Sequence, residues 1–210
     1  MNGSKEAEMK ENQTVKKNLI LAQTAILSAL IIVMTFVPYL GYISYGALSI
    51  TLIHIPVIIG ACLLGVKAGA ALGTVWGVSC IIKAITAPPS PLEGIIFRNP
   101  LIALIPRILM GIAAGLVMYA VQKKSKVLGS VLASIAGCLT NTILVMGGIY
   151  LIYGEKYGDA LNISSISFGG LTNYILTAFG INAVIEIAVA IIITVPVVKA
   201  IKPKLLGKQQ

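Results

Sequence analysis

An all-α membrane protein of six transmembrane helices, with N and C termini cytoplasmic, is the fold this sequence predicts, and three observations predict it. Of 210 residues, 57% are hydrophobic and 11% charged, and mean hydropathy is +0.94, more apolar surface than a soluble domain of this size can bury. Apolar runs of roughly 20 residues recur between short polar breaks, the length a helix needs to cross about 30 Å of hydrocarbon. The basic residues gather on alternate connections. The alternating ten-residue strands of a barrel are absent. The net charge of +9 therefore reports orientation in a bilayer rather than affinity for nucleic acid.

Residues 1–17 mix both charge signs with almost no large apolar groups and read as a cytoplasmic tail. The first helix, 18–37, ends at Pro38 and is too long for the apolar region of a cleaved signal peptide. Its Ala22, Ala25 and Ala29 recur at helical spacing, which suits packing inside the bundle or docking of a separate membrane partner. The stretch YLGYISYGALS, 39–49, is too short and polar to span. Its Tyr39, Tyr42 and Tyr45 suit interfacial anchors or a loop folded over a ligand. The second helix, 50–64, carries the sole histidine, His54, and Pro56, which invites a kink.

The third helix, 68–85, places Gly69, Gly73 and Gly77 on one face, where another helix can approach backbone to backbone. It also carries the sole tryptophan, Trp76, and Lys83. Four prolines between Thr86 and Pro100 predict a stiff loop without regular helix, holding Glu93 and Arg98. The fourth helix, 101–121, contains Pro106, Arg107, Gly111 and Gly115, and the fifth, 127–152, contains Asn141 between two threonines. The sixth, 171–198, contains Asn173, Asn182 and Glu186. Residues 18–200 thus form one membrane domain, and 201–210 a basic cytoplasmic tail. Lys5, Lys10, Lys16, Lys17, Lys67, Lys123, Lys124, Lys126, Lys199, Lys202, Lys204 and Lys208 fall on the terminal side, which the positive-inside rule makes cytoplasmic. Lys83, Arg98, Arg107 and Lys156 belong to the opposite side. Cys62, Cys80 and Cys138 lie in apolar segments with no CxxC, so they read as small hydrophobes rather than a disulfide or zinc framework.

An ionisable group inside a bilayer costs about 2.5–3.5 kcal/mol on insertion scales, so each needs a partner, a cavity or a function. Counting about 1.5 Å per helical residue places His54, Trp76, Lys83, Arg107, Asn141, Asn182 and Glu186 in the outer half to the middle, over apolar inner halves. A site open outward and closed below follows, whereas a channel would be polar throughout. The bland alternatives are an Arg107–Glu186 ion pair, Asn141 bridging two helices, a packed His54, and Lys83 and Arg98 reaching for head groups. No second His, Cys or carboxylate is spaced to give His54 a metal, and no cofactor is indicated. The cations Lys83, Arg98 and Arg107, beside asparagines, Trp76, Tyr42 and Tyr45, suit a small organic molecule with an anionic group and an amide- or hydroxyl-bearing body.

The Ala25–Ala29 step, the run from Ile50 to Gly73 (ITLIHIPVIIGACLLGVKAGAALG) and IPRILMGIAAGLV from Ile105 to Val117 resemble the substrate-binding S components of energy-coupling factor (ECF) vitamin transporters. The resemblance covers most of 18–200 and is strongest to pantothenate-type members, although folate- and riboflavin-type members share the broader pattern. It implies a high-affinity vitamin-binding subunit with an outward-facing pocket under loops. It implies association with a transmembrane coupling subunit and two cytoplasmic ATPases, and toppling of the whole subunit to deliver ligand inside. It assigns Ala22, Ala25, Ala29, Gly69 and Gly73 to partner docking, and no catalytic residue. The absence of a GxxxxGK[ST] phosphate loop agrees with a subunit that hydrolyses nothing. The competing readings are a self-sufficient proton-coupled transporter using Glu186 and His54, and a membrane enzyme. No inverted repeat supports the first and no nucleophile–base spacing the second.

Overall fold

The computed structural model describes residues 2–45, 48–160 and 180–201, with side chains except those of 2–8, 43–45, 48–49, 91–92, 154–160 and 181. The elements are α1 Asn2–Phe36, β1 Tyr42–Tyr45, β2 Leu48–Thr51, α2 His54–Leu64, α3 Val66–Thr86, α4 Pro91–Ile96, α5 Pro100–Ala103, α6 Ile105–Val121, α7 Lys126–Ala160 and α8 Gly180–Ala200. Apart from two four-residue strands, the chain is an all-α membrane protein. Among the described residues five helices are long and apolar enough to cross a bilayer: 9–36 within α1, α3, α5 with α6, 126–153 within α7 and 182–200 within α8. The remaining expected span, α2, has 11 residues and rises only about 16 Å.

Helix α2 can be short because it is the core. It is buried along nearly its whole length and touches α1, α3, α6, α7 and α8. Its first residue is His54, so the expected start at Ile50 is corrected: Ile50 and Thr51 belong to β2. Pro56 then falls in the first turn, where its missing N–H costs no intrahelical bond. The kink expected there has no cause.

Other boundaries differ from expectation for equally local reasons. Helix α1 does not begin at Asn18 but runs back to Asn2, because residues 4–17 contain no Gly or Pro and are rich in helix-forming Glu, Lys, Met and Gln. The proline-rich loop contains two short helices after all. Pro91 and Pro100 sit in their first turns, where proline is favoured, and Ser90 and Asn99 cap them by accepting from Glu93 N at 3.2 Å and Leu101 N at 3.0 Å. Of the expected sixth helix, residues 171–179 lie outside the described residues, as does the basic tail from Lys202 onward.

The antiparallel pair α3 and α6 fixes the frame of the site. Gly69 lies against Gly111, Gly73 against the Arg107 carbonyl, Gly77 against Ala103 and Leu104, and Gly115 against Val66. Side chains at these positions would hold the two backbones apart. A methyl at Gly73 would collide with the Arg107 backbone, whereas one at Gly147 meets nothing within 4 Å. Gly73→Ala is expected to destabilise the purified protein by about 1–3 kcal/mol, as overpacking does. Gly147→Ala should leave the thermal midpoint unchanged or slightly raised. Equal midpoints for the two variants would contradict the close α3–α6 contact.

Candidate functional site

The glycine contacts set the level of each polar group. Gly73 touches α6 at Arg107, and one turn further along α3 Trp76 meets the guanidinium of Arg107, whose Cζ lies 5.1 Å from the indole centroid. Gly137 of α7 packs against Ile58 of α2 and Ala114 of α6. Asn141 is one turn further along α7 and His54 one turn earlier on α2, so the antiparallel run brings both to one level.

Arg107 is 5% exposed and, among the described residues, has no carboxylate partner. Its Nη1 donates to the Ile102 carbonyl at the end of α5, and its Cζ is also 5.2 Å from the Phe97 centroid. Cation–π contact of this kind offsets part of the desolvation of a buried guanidinium. Its Nε has no partner, and neither do His54 Nε2 and Asn141 Oδ1, all three shielded from solvent. Buried polar atoms are normally satisfied; Thr194 Oγ1 of α8 is a fourth such atom, and the three on α2, α6 and α7 define the candidate site.

Tyr42 is a hub of contacts. One face of α3 presents Trp76, Cys80 and Lys83 in successive turns, and Tyr42 of β1 lies across all three. Trp76 Nε1 donates to its hydroxyl at 3.5 Å, Cys80 Sγ is 3.2 Å from the same oxygen, and Lys83 Nζ stands 4.5 Å over its ring. Burial, then the adjacent Cys80, pushes the Tyr42 phenol well above its ordinary value, with Trp76 and the Arg107 charge opposing. The hydroxyl therefore stays protonated and can donate.

Lys83 also donates to the Thr35 carbonyl at 2.7 Å, satisfying one of the unpaired carbonyls that end α1. Glu186, 6% exposed, accepts from the Thr51 backbone N–H at 2.7 Å and from Asn182 Nδ2 at 3.5 Å. Arg107 and Glu186 do not touch as the ion pair weighed from the sequence: Glu186 bonds Thr51 and Asn182, and Arg107 bonds the Ile102 carbonyl.

Not every candidate joins this cluster. Arg98 is exposed, and its Nε reaches the Ala84 carbonyl at 3.4 Å, near the end of α3, so it closes a helix rather than a site. The side chain of Tyr45 lies outside the described residues. Gly69 and Gly73, expected at a partner surface, lie against α6 of the same chain. Ala22, Ala25 and Ala29 are exposed on α1 beside Leu21 and Ile26, each 69% exposed. Phe97 escaped the sequence reading, though an aromatic next to a cationic loop could have flagged it. The Thr35 and Ile102 carbonyls and the Thr51 N–H have no side-chain signal at all.

A helical membrane protein whose polar groups converge at one end, around a buried cation without an acid in contact among the described residues and near two aromatic rings, suits a small molecule better than ion conduction. Residues 20–198 match the family described as ECF transporter, substrate-specific component, and the chain belongs to that family. It is a multi-pass membrane protein with a role in transport. Among its relatives is the pantothenic acid transporter PanT of Lactococcus lactis subsp. cremoris, 36% identical over 164 residues, covering 72% of this chain and 76% of that one. The pantothenate transporter PanT of Leuconostoc mesenteroides subsp. mesenteroides is 28% identical over 192 residues, 89% of this chain and 94% of the relative.

Because Trp76 is the sole tryptophan and its N–H is tied to Tyr42, Tyr42→Phe should shift the emission maximum of the ligand-free protein to shorter wavelength. An unchanged spectrum would place Tyr42 away from the indole.

Proposed function

We propose that this chain is the pantothenate-binding subunit of an ECF importer. The observation that carries the reading is Arg107, a buried guanidinium near two aromatic rings, with no acidic partner in contact among the described residues and an unpartnered Nε. Pantothenate is an acid with an amide and two hydroxyls. Its carboxylate supplies the anion Arg107 lacks, through charge-assisted hydrogen bonds. Its amide and hydroxyl groups match the neutral orphans, Asn141 Oδ1 and His54 Nε2. The names of the two relatives point to the same vitamin.

The site would open outward and lie above apolar inner halves, with both termini cytoplasmic. Delivery would need the coupling subunit and two ATPases, since this chain carries no phosphate-binding loop. The docking surface would be the exposed face of α1 at Ala22, Ala25 and Ala29, where small side chains admit another helix closely.

Titration of the purified protein with pantothenate should change Trp76 fluorescence saturably in the nanomolar range, without ATP or partners. Loss of hydrogen bonds to a charged group makes Arg107→Ala weaker by about tenfold or more. Equal affinities would remove Arg107 from the site, and silence toward pantothenate, confirmed by calorimetry, would overturn the ligand. Ala25→Trp should leave binding intact and abolish uptake by the assembled transporter. Normal uptake would remove α1 from the docking surface.

A further inference from the structure

The base of the β1–β2 hairpin is tied to the polar end of the bundle. Tyr42 and Thr51 are directly paired across the two strands. Tyr42 is held by α3, and Thr51 is held by Glu186 of α8. Below them Leu52 N donates to the Gly41 carbonyl at 2.8 Å, closing the ring from which α2 begins. Hence a single rung of the hairpin joins α3 to α8.

Glu186 does this with one oxygen. Its Oε1 takes both the Thr51 N–H and the Asn182 amide, in a residue 6% exposed. A backbone N–H at a strand's outer edge has no ladder partner, and a buried carboxylate is a strong acceptor for it. We propose that Glu186 is a positioning residue, a latch that fastens the hairpin through Thr51, keeps Tyr42 over Trp76 and so sets how long a ligand stays, without touching the ligand. It differs in this from Arg107, which has no carboxylate in contact among the described residues. The effect on ligand rests on the assignment of this end as the binding site, whereas the effect on the hairpin does not.

Two readings of the full-length protein in lipid nanodiscs test the latch. The first is hydrogen exchange of the ligand-free protein, followed at the amides of 50–53. Glu186→Ala should speed exchange at Thr51 by about tenfold or more, the scale set by a hydrogen bond to a charged acceptor. Glu186→Gln keeps an acceptor oxygen and should hold exchange between wild type and Glu186→Ala. The second is dissociation of radiolabelled pantothenate. Glu186→Ala should release it faster by a similar factor, with Glu186→Gln rescuing most of the loss. Thr51→Pro removes the donor from the other side and should match Glu186→Ala, and the double variant should add nothing to either.

Wild-type exchange in Glu186→Ala overturns the latch. So does a Glu186→Gln variant as defective as Glu186→Ala, which would make Glu186 a charge rather than an acceptor, and so does additivity of the double variant. If exchange responds as expected but wild-type protein holds no pantothenate, the latch stands and the ligand assignment falls.

Discussion

A guanidinium inside a helical bundle is the constraint to which the rest of this structure answers. Arg107 is almost completely buried, and a charged side chain at membrane depth costs about 2.5–3.5 kcal/mol even on insertion scales. Among the described residues no acid sits in contact with that charge. It is shared with the Ile102 carbonyl and lies near the rings of Trp76 and Phe97, which leaves room for the anionic ligand proposed above. Glu186 is kept occupied elsewhere, on the hairpin backbone.

This arrangement depends on how closely α3 and α6 approach. Gly73 lies against the Arg107 carbonyl, so Trp76, one turn along α3, comes within cation–π distance of the Arg107 head. A larger residue at Gly73 would separate the two backbones and the two side chains together. The same face of α3 continues through Cys80 to Lys83 and seats Tyr42. One helix therefore positions Trp76, Cys80, Lys83 and, through them, Tyr42, and its opposite end follows directly on the buried α2.

Much of this was legible in the sequence because a bilayer simplifies the problem. The spans follow from hydropathy, a close helix approach at α3 from glycines every fourth residue, and the burial of Arg107 and His54 from their place inside apolar segments. What was not legible involved competition between local and tertiary preferences. Ile50 and Thr51 carry an apolar pattern a helix could use, but as β-branched residues they pair with Tyr42 and Ile43 instead. Pro91 and Pro100 read as helix breakers until Ser90 and Asn99 are seen as caps. Gly69 and Gly73 were correctly seen as an interface, yet periodicity cannot say whether the approaching helix belongs to the same chain. Backbone partners such as Thr51 N and Thr35 O leave no trace in residue types.

The central claim is that Arg107 meets the carboxylate of the ligand. Calorimetry of the wild type and Arg107→Met with pantothenate and with its uncharged alcohol analogue tests it most directly, because the ligand and protein charges are then removed separately and together. The account predicts a large preference for the acid in wild type, about a hundredfold, that disappears in Arg107→Met. Equal affinity of wild type for acid and alcohol, or a preference that survives in Arg107→Met, would contradict it.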